Sequence, residues 1–210
     1  MFQSFSGISI EHISSCVPER KVLNKDFQSL LSEKEIRKFE RTVGIQERRW
    51  VSDSTTASDL GFQAAWDIFN SDDFEKDQVD VLIFLSQTSD YKIPFTSNIL
   101  QSRLGLKKET LCLDINAGCA GFVQGLSTAY SLARSLPRGH KVLFIIGETL
   151  SKILSKNDRS TSMLFGDAAS AIIISNTGKQ EDTSYFNFFS DGANSDAIMI
   201  PDGGYRNQVS

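Results

Sequence analysis

The chain has 210 residues, 40% of them apolar and 23% charged, an ordinary globular balance with enough length to bury a core. Its net charge of −4 lacks the basic excess that a nucleic-acid partner requires, so none is expected. No apolar run approaches the roughly 20 residues that span a bilayer, and the N-terminus MFQSFSGISIEHIS has neither the basic start nor the long apolar run of a signal peptide. No membrane partner is therefore expected, and the cytoplasm is the expected location.

In chain order, Gly7–Val17 reads as a strand stopped by Pro18. Asn24 is placed to cap a helix over Lys25–Leu31, and Ser32–Phe39 reads as a charged helix with a solvated face. In Ala57–Ile68, small and apolar residues recur every three or four positions, which is one helix stripe. Four short apolar runs follow as strands: Val79–Leu85, Leu111–Ile115, Val142–Ile146 and Ala171–Ile174. The first and third are nearly unbroken, as in parallel strands covered on both faces. Between the strands, Thr96–Leu104 reads as a short helix stopped by Gly105. Phe122, Leu126, Ala129, Ala133 and Leu136 mark a longer helix ended by Pro137 and Gly139. Thr183–Ser190 alternates weakly like a strand, and from Asp191 the chain is rich in Gly, Asp, Asn and Ser. Strands alternating with helices predict an α/β layered fold with a mainly parallel mixed sheet.

The three cysteines form no CxxC pair and the two histidines are far apart, so neither a disulfide framework nor a metal site is expected. Cys112 lies inside a predicted strand and reads as core. Cys16, beside Pro18, reads as inert. His12 and His140 read as structural or solvent-exposed, His140 in a surface turn between a helix and a strand. Cys119 differs from the other cysteines. It follows a predicted strand and opens a predicted helix, among Ala117, Gly118, Ala120 and Gly121. Such a turn lets a substrate approach closely, and the positive end of a helix favours a thiolate, the reactive form of a cysteine.

The stretch Asp114–Phe122, DINAGCAGF, is similar to the nucleophile turn of ketoacyl synthase III and its thiolase-fold relatives. Three further segments resemble that family in the same order. Thr42–Arg48, TVGIQER, looks like its T-G-I-x-x-R element. Ser86–Pro94, SQTSDYKIP, looks like the loop before its dimer-contact helix. Asp158–Ala171, DRSTSMLFGDAASA, looks like its D-R-x-T-x-x-x-F-G-D-G-A-x-A stretch.

The resemblance implies that residues 1–176 form the N-terminal thiolase-like half, with 177–210 a connection toward a C-terminal half that would follow. It implies a homodimer and no cofactor. It also implies that Cys119 takes an acyl group from an acyl-CoA or an acyl-carrier-protein thioester and condenses it with a carrier-bound malonyl unit. The alternatives are a related thiolase-fold acyltransferase, including a hydroxymethylglutaryl-CoA-synthase-like enzyme, and a non-catalytic partner subunit of a condensing heterodimer. The retained Cys119 favours an enzyme.

Four more positions carry implied binding roles. Arg159 falls on the arginine that stacks against the adenine of coenzyme A. Arg41 adjoins Thr42, which occupies the place of a phosphate-contacting arginine. Phe165 matches a pocket-lining phenylalanine, and Ile93 matches a residue that reaches into the partner subunit's acyl pocket. Lys38 stands where a stacking tryptophan is usual, and lysine cannot stack as an indole does. Weak binding of free coenzyme A and a carrier-bound primer are therefore expected. The family's decarboxylating histidine and asparagine have no counterpart here, so the chain alone is expected to lack full catalysis.

Overall fold

The computed structural model describes residues 1–71, 74–155, 157–181 and 183–207; Asp182 and residues 208–210 of the expected connection lie outside them. Its strands and helices, in chain order, are β1 (Phe2–Ser6), β2 (Ile8–Cys16), β3 (Lys21–Leu23), α1 (Glu33–Val43), β4 (Glu47–Arg49), α2 (Ala57–Phe69), β5 (Val79–Leu85), α3 (Thr96–Arg103), β6 (Leu111–Ile115), α4 (Gly121–Ser135), β7 (Lys141–Thr149), β8 (Asp167–Asn176) and β9 (Thr183–Asn187).

Five strands form the central sheet in the order β2-β8-β7-β5-β6. β5 runs parallel to both β6 and β7, whereas β8 is antiparallel to β7 and to β2. Only β8 therefore opposes the common direction, and the sheet is mixed and mainly parallel, as expected. The unbroken apolar runs have a direct cause. On one face Leu82, Phe84, Leu143, Ile145, Ala171 and Ile173 pack with Ala64, Ala65 and Ile68 of α2 and Leu100 of α3. On the other, Val81, Ile83, Leu85, Val142, Phe144, Ile172 and Ile174 pack with Ala129, Tyr130 and Ala133 of α4. Alternate residues of each strand thus face opposite helical layers, and both sets must be apolar. Each fully buried aliphatic or aromatic side chain contributes about 1.5–3 kcal/mol of transfer free energy.

α4 lies close to the sheet because it carries glycines on its inner face. A Cβ at Gly125 would stand 2.4 Å from Cζ of Phe144, and one at Gly121 would stand 3.2 Å from Cδ2 of Leu85. Val123 of α4 is exposed, and Phe122 stacks on Phe144 with part of its ring open to solvent.

The N-terminal region differs from its sequence reading at two points. Asn24 is not a helix cap. It begins a short 3-10 turn, Asn24–Phe27, and is buried. Its amide donates to Oε1 of Glu40 at 2.9 Å and to the carbonyl of Ile45 at 2.8 Å, and its Oδ1 accepts from the Arg48 guanidinium. Burial with three partners, two of them acceptors of its own N–H groups, outweighs the capping preference of asparagine. The helix expected over Ser32–Phe39 runs instead from Glu33 to Val43, with Ser32 as N-cap in a reciprocal capping box with Glu35 and with Gly44 in the left-handed conformation. Its charges are not all solvated, since Glu40 serves Asn24 and Glu35 meets Arg159. Beyond Asn176, β9 returns to pair antiparallel with β1, a strand with no clear periodicity in the sequence.

Candidate active site

The parallel strands β5, β6 and β7 end on the same side of the sheet, where ligands gather in α/β folds. Ser86, just past β5, donates its backbone N–H to the carbonyl of Ile115 at 3.1 Å, which holds the ends of β5 and β6 level. From that level the chain passes through Asn116, Ala117 and Gly118 into a tight turn at Cys119 and Ala120. The Gly121 N–H closes the turn on the Gly118 carbonyl at 2.7 Å, and α4 begins. Cys119 is exposed at the head of that helix. Its own N–H has no hydrogen-bond acceptor among the described residues. An exposed thiol beside a free N–H at a positive helix end is suited to attack a carbonyl and to hold the resulting oxyanion.

The other cysteines have different surroundings. Cys112 is half-buried in β6 and packs against the α2–α3 side of the core; burial, and then the nearby Asp114 carboxylate, push its thiol pKa up. Cys16, half-buried at the end of β2, is pushed up by burial and then by Asp67. Both shifts disfavour the thiolate.

Asp114, the first residue of the nucleophile motif, has a role that the sequence reading left unassigned. Its carboxylate accepts the backbone N–H groups of Thr96 at 2.7 Å and Ser97 at 2.9 Å, and so caps α3. Asp167, in the G-D pair of the fourth motif, is buried and accepts from the N–H groups of Val51 at 2.8 Å and Ser151 at 3.0 Å. Arg48, the arginine of TVGIQER, is buried too, with its guanidinium over the Phe27 ring and donating to the carbonyl of Val22 at 3.2 Å. The bonds of these motif residues hold the frame of the site together.

Three of the entrance positions come together. Arg159, Lys38 and Thr42 line one open cleft of about 290 Å³, with Leu31, Phe39 and Met163 among its apolar walls and Glu35 at its edge. Arg159 donates to Oε1 of Glu35 at 2.5 Å, with both side chains about half exposed. Arg41 is exposed on the last turn of α1, outside the cleft lining. Phe165 is half-buried, and its carbonyl accepts from the indole N–H of Trp50 at 3.0 Å. Ile93 is 82% exposed on the loop before α3. Neither it nor Phe165 lines the cleft. His140 precedes β7 and so lies at the end of the sheet opposite Cys119, where its Nδ1 meets Oδ2 of Asp80 at 2.6 Å. His12, on β2, meets the ring of Phe74 edge-on.

The sequence profile of the family described as 3-oxoacyl-[acyl-carrier-protein (ACP)] synthase III matches residues 113–193, from β6 to beyond β9. A β-ketoacyl-[acyl-carrier-protein] synthase III of Fusobacterium nucleatum is 36% identical over 202 residues, which is 95% of this chain and 60% of that protein. A second relative, the β-ketoacyl-[acyl-carrier-protein] synthase III 2 of Halalkalibacterium halodurans, is 37% identical over 188 residues. The crystal structure of a 3-oxoacyl-(acyl-carrier protein) synthase from Burkholderia xenovorans superposes with a TM-score of 0.92 at 33% identity, covering 98% of this chain and 58% of that one. Over 95% of its length the chain is similar to a member of the ketoacyl synthase III family. It spans 55–60% of the length of the first curated relatives it matches, and its thiolase-like fold is that of the matching part of the solved ketoacyl synthase structures.

Proposed function

We propose that this chain is the nucleophile-bearing part of a condensing enzyme of the ketoacyl synthase III type, acting in fatty acid biosynthesis. The single observation that carries the reading is the exposed Cys119 thiol at the head of α4, within the family's own motif. In the proposed reaction the Cys119 sulfur attacks the carbonyl of an acyl-CoA or acyl-carrier-protein thioester. The backbone N–H at the helix head stabilises the oxyanion, and the donor thiol leaves. A carrier-bound malonyl unit then loses carbon dioxide, and the resulting carbanion attacks the acyl-cysteine carbonyl. Cys119 is expelled as a thiolate and a 3-ketoacyl thioester is released. Decarboxylation needs groups beyond these residues, since His12 and His140 both lie away from Cys119. In this reading residues 1–176 form the nucleophile-bearing half and 177–210 lead out of it.

The cleft of Lys38, Thr42 and Arg159 is the proposed substrate entrance; binding roles for Arg41 and Phe165, which do not line it, are proposed from their motif positions alone. Without an aromatic partner for Arg159, a carrier-bound primer suits it better than free coenzyme A. A homodimer is proposed through this half. It is supported by β6, an edge strand whose outer side is unpaired within the sheet, and by the exposed Ile93 and Phe95 beside it. The cytoplasm is the proposed location. Among the described residues no helix is long and apolar enough to cross a membrane.

The test uses a protein that joins this chain to the remaining length of its relatives. Given an acyl thioester and malonyl-carrier, it should gain one acyl group on Cys119 and release carbon dioxide with a ketoacyl product. Acylation without any carbon–carbon bond formation would refute the condensing reading and leave an acyltransferase.

A further inference from the structure

At the ends of β5 and β7 lies a carboxylate that the proposed reaction does not use. Glu148, partly buried near the end of β7, accepts from the backbone N–H of Gln87 at 2.8 Å, from the Thr88 hydroxyl at 2.8 Å and from the Ser86 hydroxyl at 3.5 Å. Thr88 is held from two further sides. Its N–H donates to the Ser86 hydroxyl at 2.9 Å, and its own hydroxyl accepts the Thr149 N–H at 2.9 Å. One carboxylate therefore fixes the three residues that follow β5. Burial raises its pKa, against the opposing pull of those hydrogen bonds, so the protein maintains a desolvated acid at this point.

The middle residue of the three is the informative one. Gln87 is exposed, yet its side-chain amide lies over Gly118: a Cβ at Gly118 would stand 3.2 Å from Nε2 of Gln87 and 3.6 Å from its Oε1. Gly118 is the residue before Cys119, and its carbonyl closes the turn on Gly121. A continuous path thus runs from Glu148 through the Gln87 backbone and side chain to the turn that carries the thiol. We propose that Glu148 is a positioning residue for Cys119, acting through Gln87, which braces the turn from outside. The proposal rests on the reading of Cys119 as the reactive thiol and adds the device that holds it. The Cys119 sulfur is open to an electrophile only while the turn holds it exposed at the helix head. A loosened brace should therefore slow attack by Cys119 on any electrophile.

The experiment measures the rate at which this chain reacts with iodoacetamide, with the label placed by peptide mass mapping and folding checked by circular dichroism. Glu148→Ala, which removes three hydrogen bonds to the loop, and Gln87→Ala, which removes the side chain packed over Gly118, should each slow labelling of Cys119 by about three- to tenfold. The double variant should be no slower than the slower single one, because both act on one path. Glu148→Gln should keep nearly the unmodified rate, since its amide oxygen can still accept from Gln87 and its amide N–H groups can donate to the two hydroxyls. Gln87→Ala changes an exposed side chain, so it decides the matter alone should Glu148→Ala fail to fold. An unmodified rate in Gln87→Ala would overturn the proposal. So would a Glu148→Gln protein as slow as Glu148→Ala, because charge would then be responsible and bracing would not. Label found mainly on Cys112 or Cys16 of the unmodified chain would instead overturn the thiol assignment, and this proposal with it.

Discussion

Glu35 and Arg159 lie 124 residues apart in the chain and 2.5 Å apart in space. The pair joins α1 to the segment before β8 across the edge of the Lys38–Thr42 cleft. Glu35 is also the capping residue of α1, where its other oxygen accepts the Ser32 hydroxyl at 2.7 Å and the Ser32 N–H at 2.8 Å. Those bonds from Ser32, and then the charge of Arg159, hold its carboxyl below the usual range. The entrance arginine is thus already engaged by a carboxylate, and Lys38 stands in the cleft where a stacking indole would be needed. Free coenzyme A should bind weakly. Lys38→Trp should strengthen that binding by about 1–2 kcal/mol, the size of a stacking or cation–π contact. Titration calorimetry on both proteins checks this, and tight binding by the unmodified chain would remove the argument.

Asp114 joins two motifs by capping α3, so its effect should be on stability rather than on thiol chemistry. Asp114→Ala leaves the N–H groups of Thr96 and Ser97 without their acceptor. The expected cost is about 1–2 kcal/mol, as for the loss of a helix cap. A lower urea midpoint with an unchanged slope would be the signature.

Gly125 should tolerate no side chain. A methyl group there would meet Phe144, itself fully buried in β7, at 2.4 Å. Either α4 must move away from the sheet or Phe144 must leave its rotamer, which costs about 1–3 kcal/mol. Since α4 carries the Cys119 turn at its head, Gly125→Ala should lower the melting temperature and slow alkylation of Cys119 together. A variant as stable as the unmodified chain would contradict the close packing of α4.

At the far end of the sheet, Asp80 is bonded to Lys107 and to His140. Burial alone would raise its carboxyl, yet the bonds from Lys107 and His140 prevail and hold it below the ordinary value. A depressed folded-state pKa adds stability above the unfolded-state value, near 3.9, and that stability is lost as pH falls through the folded value. Asp80→Asn should therefore lower the melting temperature at pH 7, and the difference should shrink below about pH 4. A difference that stayed constant down to pH 3 would mean that packing, and not the ion pairs, sets the effect.

The parts of this fold that could be read from the sequence are those whose burial is decided by their own residues. β5 and β7 are covered on both faces, so their apolar runs are continuous, and the small-residue stripe of α2 has a matching cause. β1 was not legible: FQSFS buries only Phe5 and exists because β9, far along the chain, returns to pair with it. β3 and β4 have three residues each, and the one buried residue of β4 is an arginine. Asn24 was misread because its locally preferred role is a cap, whereas its partners Glu40, Ile45 and Arg48 are supplied by tertiary structure. The same holds at the site. The Cys119 turn has a local signature of small residues between a strand and a helix. Glu148 has none, since a glutamate at a strand end reads as a solvated charge until the loop after β5 is seen folded against it.

The three cysteines give the sharpest test, because a single reagent ranks them in one experiment. Cys119 is exposed at the head of α4, beside an N–H with no acceptor among the described residues. Cys112 is half-buried, its sulfur donating weakly to the Thr110 carbonyl at 3.7 Å, and Cys16 is half-buried at the end of β2. Burial raises the thiol pKa of both, and Asp114 and Asp67 add to it. Alkylating reagents attack the thiolate and need a path to it, so burial and the raised pKa both count against Cys112 and Cys16. At neutral pH a limiting amount of iodoacetamide should label Cys119 first. Cys119→Ser should abolish the fast phase, and in a protein of the relatives' full length it should also abolish condensation, because a hydroxyl without a matching base is a far weaker nucleophile. Cys112→Ser should leave the fast phase intact and lower stability, since it puts a hydroxyl against the core packing of β6. Raising the pH above 9 should bring up the two slower cysteines as their thiolates form. Mass mapping that found the first label on Cys112 or Cys16 at neutral pH would remove the basis for Cys119 as the acyl-bearing residue.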